Sequence, residues 1–237
     1  MDLSPAIEHL HTQVMGARRA LITGPVDVDG DSIGASLALA QVLRQCNPDL
    51  EVITVAAMPI PRRYEFLEGV DAVVTPAELE GPFDLALLLD GVRHRIGEVG
   101  PMFDAARVRV LVDHHVSSDP DEYDLALLDV RRASTCEIVH ELARHPSFDV
   151  TVDVAMAQQL YTGIAYDTGT FRYSCTTPAT LRLAADLLAT GIDAQQIIER
   201  VFLDSSYPET VFRGRVLADI RLADDRRCAY ARVARVL

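Results

Sequence analysis

No stretch of this 237-residue chain approaches the roughly 18–20 consecutive apolar residues that a membrane-spanning helix needs. The N-terminus, MDLSPAIEHLHTQ, has no basic start, apolar stretch or small-residue cleavage site of a secretory signal, so a cytoplasmic location is expected. Cysteine is sparse and scattered. Cys46, Cys136, Cys175 and Cys228 form no Cys-x-x-Cys pair, and buried free thiols in a reducing compartment are the expectation. Positive charge is in deficit too: 22 Lys+Arg face 35 Asp+Glu, a formal net charge of −13. That balance argues against wrapping long duplex nucleic acid through a basic surface. A small phosphorylated substrate remains compatible with it, provided that divalent cations and a few arginines supply the local positive field. Repeats, low-complexity tracts and Gly/Ser linkers are absent as well. What is present is an ordinary globular composition, 49% hydrophobic and 24% charged. The length suffices for one large domain, or one domain and part of another.

Short apolar runs at 20–23, 51–56, 85–90, 108–113 and 125–130 read as strands, and amphipathic stretches at 32–45, 136–143, 152–166 and 178–190 as helices. Their alternation implies an α/β fold, a mostly parallel five-stranded sheet with helices on both faces. Beyond Gly191 the pattern changes to a helix over 192–202, a break at 203–208, a second helix over 209–222 and a strand over 228–236. This gives a first domain over 1–190, a helical linker over 191–215 and, over 216–237, the start of a truncated or minimal second domain.

In parallel sheets, sites form just beyond the carboxyl ends of the strands, and the chemically distinctive residues cluster there. Val-Asp-Val-Asp-Gly-Asp-Ser (26–32) follows the first run; Gly30 allows a sharp turn that brings Asp29 and Asp31 to one cavity, though helix capping is an equal reading. Asp90 closes an apolar run and must find a cation, donors or water. Arg93 and Arg95 follow it, free to pair with Asp90, meet phosphate or stay solvated. Asp113-His114-His115 ends the fourth run and is the sharpest signal: two imidazoles and a carboxylate at one strand end suit manganese, zinc, iron or cobalt better than calcium. Asp167, in Tyr-Asp-Thr-Gly-Thr-Phe-Arg (166–172), closes a helical stretch and offers a further carboxylate, with the Arg172 guanidinium nearby.

The order of these elements resembles that of the DHH phosphoesterases. Asp113-His114-His115 matches the tripeptide that names the family, DVDGDSIGAS its first motif, Asp90 its second and YTGIAYDTGTFRYS its fourth. The segment Ala133-Ser134-Thr135-Cys136-Glu137 looks like that of the bacterial branch that degrades nano-RNA and dephosphorylates 3′-phosphoadenosine 5′-phosphate. The resemblance covers roughly the first 200 residues. It implies one metal held by Asp29 and Asp90 and a second held by Asp31, Asp90, His114 and Asp167, with Asp90 bridging. Asp90, His114 and His115 would carry catalysis, Asp113 would orient an imidazole, and His115, Arg172 and Arg93 would contact substrate. The cofactor implied is manganese, with magnesium, cobalt or zinc as substitutes.

The implied function is metal-dependent hydrolysis of phosphate esters of short oligonucleotides or small nucleotides, such as nano-RNA, 3′-phosphoadenosine 5′-phosphate or linear dinucleotides. Its partner would be a small nucleotide or short single-stranded oligonucleotide, with no membrane or long duplex; a homodimer is a candidate assembly. Two departures stand out. The family's first motif begins with a histidine four residues before the first aspartate, where this chain has Pro25, which cannot ligate through its side chain. That implies an impoverished first metal position and opens a second reading, a catalytically impaired nucleotide- or metal-binding module. The branch also continues into a glycine-rich, histidine-bearing substrate domain, of which only 216–237 resembles the start, so an incomplete substrate domain is expected. A third reading, an inorganic pyrophosphatase or polyphosphatase, is disfavoured by DTGTFRYS, which looks closer to the nucleotide-cleaving branch.

Overall fold

The five apolar runs form strands β1 (Arg19–Thr23), β2 (Glu51–Val55), β3 (Leu85–Leu89), β4 (Val108–Asp113) and β5 (Leu125–Leu128) in the computed structural model, which describes residues 2–224 and 226–233. They lie in the order β2-β1-β3-β4-β5, and every neighbouring pair is parallel. A parallel sheet needs cover on both faces, and central β3 shows it, since all five of its residues are buried. Each of its four leucines contributes about 1.5–3 kcal/mol by leaving water. On one face Leu21, Ala86, Leu88 and Leu111 meet Ile96, Val99 and Phe103 from the segment around the short helix α3 (Gly100–Asp104), and Tyr123 from the connection between β4 and β5. Residues of the opposite parity, including Ile22, Leu85, Leu87, Val110 and Val112, are fully buried on the other face. There α2 (Gly30–Cys46) packs on β1, β2 and β3, and α4 (Thr135–Arg144) on β4.

Helix boundaries follow capping chemistry. Asp29 caps α2, Ser134 caps α4, Asp153 caps α5 (Val154–Asp167) and Thr177 caps α6 (Pro178–Leu188), each side chain accepting a first-turn amide. One helix was not foreseen: α1 (Ser4–Gly16) buries Ile7, Leu10 and Val14, a stripe at helical spacing.

The chain divides into two compact units, Met1–Val201 and Phe202–Leu237. The first holds the sheet and α1 through α7 (Ala194–Ile198), where the helix expected over 192–202 gives way to a π-helical turn at Glu199–Leu203. In the second, the break expected at 203–208 ends early because Ser206 and Glu209 cap one another and start α8 (Tyr207–Ala218). Pro208 sits in that first turn, where a missing amide hydrogen loses no helical bond. The helix expected over 209–222 stops at Ala218; β6 (Arg221–Leu222) then pairs antiparallel with β7 (Ala229–Tyr230). The strand expected over 228–236 thus shrinks to two residues, and 234–236 lie outside the described residues. Among the described residues no helix is long and apolar enough to cross a membrane.

Candidate metal centre

Strand ends and one helix crossing bring the donors together. Asp31 lies in the first turn of α2, Asp90 directly after β3, His114 and His115 directly after β4, and Asp167 is the last residue of α5. Asp90 still donates its amide to Val112 O (3.1 Å) but takes a left-handed φ of 57°, which re-aims its side chain as the sheet ends. α2 and α5 cross closely because Gly34 faces the Gln159 carbonyl and Gly163 faces Asp31 and Cys136, leaving no room for a Cβ at either place. That crossing sets the distance between Asp31 and Asp167.

His114 Nε2 lies 3.0 Å from Asp167 Oδ2, 3.5 Å from Asp90 Oδ1 and 3.9 Å from Asp31 Oδ2. The four donor atoms fall within 4.8 Å of one another. His114 Nδ1 faces the Arg132 carbonyl at 3.3 Å; a carbonyl only accepts, so Nδ1 holds the hydrogen there and Nε2 is left for another partner. Nε2 is buried and lacks a well-directed hydrogen bond despite the nearby carboxylates. It points at the three carboxylates collectively, as a shared cation requires. Asp31 is fully buried, its oxygens taking the amides of Thr135 (2.6 Å) and Cys136 (3.0 Å), and Thr135 Oγ1 donates to Asp90 Oδ1 (3.3 Å).

A second donor group, Asp90, Asp113, His114 and His115, is equally compact, but its own hydrogen bonds consume it. Asp113 Oδ1 accepts the amides of His114 (2.7 Å) and His115 (3.2 Å) and the His115 Nδ1 hydrogen (2.8 Å), while Oδ2 accepts the Ser118 hydroxyl. Asp113 therefore orients His115 and leaves its Nε2 edge to the half-exposed side of the site.

The electrostatics ask for positive charge. Desolvation pushes Asp31 up to about 7, and the charge of Asp167 adds to it. Asp90 is held well above the usual carboxylate range by burial and then by Asp31. Burial also disfavours charge on His114, yet Asp167 and Asp90 outweigh it and raise the imidazole to about 11. A hydrogen bond to Asp113 raises His115. Without a metal, the cluster keeps protons to limit its own repulsion. Three carboxylates and an imidazole whose other nitrogen is fixed form a donor set that fits a divalent cation.

The remaining expected residues are placed differently. Asp29 Oδ1 accepts the amides of Asp31 (3.1 Å) and Ser32 (2.9 Å), and among the described residues no compact donor group includes Asp29. Pro25 is buried beside Gly91. Arg93 does not face the cluster through any bond: its Nε donates to Asp104 Oδ1 (2.6 Å) and its guanidinium lies on Gly100. Arg95 pairs with Asp27 (3.2 Å), and Arg172 Nε donates to Gly169 O (2.6 Å). Thr135 and Cys136 carry a role that their residue types did not announce, because both hold Asp31 through backbone amides.

Carboxylates and imidazoles gathered at the carboxyl edge of a parallel sheet define a metal-site α/β protein, and residues 19–164 match the profile described as "DHH family, N-terminal domain". The chain belongs to the DHH family. It is 31% identical over 198 residues to "Bifunctional oligoribonuclease and PAP phosphatase NrnA" of Thermus thermophilus, covering 82% of this chain and 57% of that relative. The Bacillus subtilis protein of the same name is 26% identical over 176 residues, covering 73% and 54%. The chain thus spans about half the length of these relatives. Among solved structures, an exopolyphosphatase-related protein from Bacteroides fragilis superposes with a TM-score of 0.84 at 24% identity, over 93% of this chain and 67% of that one. A putative family II inorganic pyrophosphatase from Methanococcus jannaschii gives 0.57 at 20% identity, over 76% and 61%. At those identities the likeness is one of fold.

Proposed function

We propose that this chain is a metal-dependent phosphoesterase acting on short single-stranded oligonucleotides or small nucleotides. The observation that carries the reading is the buried, otherwise unpartnered His114 Nε2 facing Asp31, Asp90 and Asp167. These four residues would hold a divalent cation, for which manganese is the first candidate. Such a cation, when bound, supplies Lewis-acid polarisation of a phosphoryl oxygen and of the attacking water. Asp113 keeps the His115 ring turned so that Nε2, protonated, can donate to a phosphoryl oxygen. Thr135 steadies Asp90 through its hydroxyl and Asp31 through its amide. The similarity to proteins named as oligoribonucleases and phosphatases supports the substrate class.

The test is release of mononucleotide or phosphate from short RNA and nucleotide substrates with manganese. Asp90→Ala should reduce turnover by at least about a hundredfold, a loss in the range seen when a transition-state stabiliser is removed; unimpaired turnover sinks the site assignment.

A second reading, an impaired module that binds without turnover, draws on the commitment of Asp29 to its helix cap and on Pro25. It predicts one manganese per chain, with Pro25→His raising the count and restoring activity. Two metals per chain in the unaltered protein would remove that reading. A panel including pyrophosphate and polyphosphate separates both from the third.

A further inference from the structure

Of the cations expected beside the site, Arg93 is paired with Asp104 and Arg95 with Asp27, while Arg172 is tied to Gly169 O through its Nε. The chain has no lysine, so apart from the histidines its side-chain positive charge is carried by guanidinium groups. One arginine has a different position. After β2 the chain makes a 3-10 turn, Arg62–Tyr64, closed by Tyr64 N donating to Pro61 O (2.9 Å). Tyr64 is 1% exposed and anchors the turn, which continues through Leu67 N to Tyr64 O (3.0 Å).

This segment is tied to the helix that carries Asp167. Gln159 of α5 donates through Nε2 to Glu68 O (2.9 Å), and its Oε1 accepts from Gln41 of α2 (3.1 Å). Tyr166, the neighbour of Asp167, lies against Gly30 so closely that a Cβ there would sit 2.6 Å from the tyrosine Cβ. Tyr64, Tyr166 and Asp29 therefore form one wall beside the candidate centre. Arg63 directly precedes Tyr64 in the turn, and the Tyr64 phenol shares a hydrogen bond with that of Tyr166. Arg63 is itself exposed, and it forms no ion pair among the described residues. A guanidinium with no ion pair among the described residues, on a turn anchored by a buried tyrosine, can present two N–H groups to two oxygens of a phosphate.

We propose that Arg63 binds a substrate phosphate adjacent to the one hydrolysed, so that the site favours nucleotides carrying at least two phosphate groups. The proposal rests on the phosphoesterase reading above, which supplies the phosphate at the metal.

The test uses the full chain loaded with manganese and a fluorescein-labelled RNA trinucleotide with phosphorothioate linkages, which keep each charge and slow cleavage. Arg63→Ala should weaken binding about tenfold, the lower range for loss of a charge-assisted hydrogen bond. The slope of log Kd against log salt should also fall by about 0.7, the share of one single-strand phosphate contact. Arg63→Lys should keep the salt slope while losing part of the affinity. In unmodified RNA the loss should appear in KM rather than kcat. Binding and hydrolysis by the unaltered protein, with Kd and salt slope unmoved in Arg63→Ala, overturn this assignment alone. If the unaltered protein neither binds nor hydrolyses the RNA with manganese present, the phosphoesterase reading falls and this assignment with it.

Discussion

At the scale of single residues the centre is defined by protons that the folded chain holds more tightly than the unfolded one. Asp31 rises from 3.8 to about 7, Asp90 rises well above 3.8, and His114 rises from 6.5 to about 11. A group with a raised folded value stabilises the fold below its unfolded value and loses that contribution as pH climbs to the folded one. Asp31 and His114 therefore both make the metal-free protein less stable as pH increases, the first over 3.8 to about 7 and the second over 6.5 to about 11. Surface carboxylates act in the opposite sense: backbone amides of Arg18 and Arg19 hold Asp84 low, and guanidinium bonds hold Asp104 and Asp124 low. Their contribution is complete by about pH 5, which leaves higher pH to the site. Melting of chelator-treated protein should move to lower temperature between about pH 5 and about pH 8, and the manganese-induced rise in Tm should grow over the same interval. Asp90→Asn imitates the protonated acid and should flatten the profile while weakening the metal. A metal-free Tm that rises with pH would contradict the clustering of these donors.

At the scale of elements, legibility divides by what kind of atom acts. The strands were readable because β3 is buried on both faces and so appears as an unbroken apolar run, as the buried stretch Val110–Val112 of β4 does. Asp90 and Asp113-His114-His115 were readable as polar residues ending such runs. The grip of α4 on Asp31 was not, because its donors are backbone amides that any residue in the first turn provides. Arg93 stands near Asp90 in sequence, yet a 3-10 turn at Arg93–Arg95 leads its guanidinium to Asp104, a pairing that no motif announces. Arg63 belongs to no motif at all and depends on Tyr64 being buried. Gly34 and Gly163 look like ordinary helix-weakening glycines, whereas the crossing of α2 and α5 requires both. Gly34→Ala would drive a Cβ into the Gln159 carbonyl oxygen, backbone that cannot swing aside. Denaturant unfolding should show a loss of about 1–3 kcal/mol, as overpacking does. Gly163→Ala would place its Cβ 2.6 Å from Asp31 Oδ1 and against Cys136 Sγ, so manganese affinity should fall together with stability. Unchanged stability in Gly34→Ala would mean that the helices do not cross as closely as described.

At the scale of the whole molecule, a net charge of −13 makes the approach of any phosphate unfavourable until local positive charge is in place. A bound cation would supply it at the centre, where burial makes each charge count for more than in water. The same field bears on the substrate class proposed above, because a long polyanion would meet repulsion wherever its phosphates are not matched by local positive charge. All four candidate ligands, the histidine set by Asp113, and Arg63 lie in the unit Met1–Val201, whose sheet carries its own buried core on both faces. Metal binding should then be independent of α8 and the β6–β7 hairpin. A chain ending at Asp204 should fold cooperatively and bind manganese with a Kd within about twofold of the full chain, a difference under about 0.5 kcal/mol. Calorimetric titration after metal removal reads this directly. Loss of binding in a shortened chain that still melts cooperatively would mean that a group beyond Asp204 completes the centre.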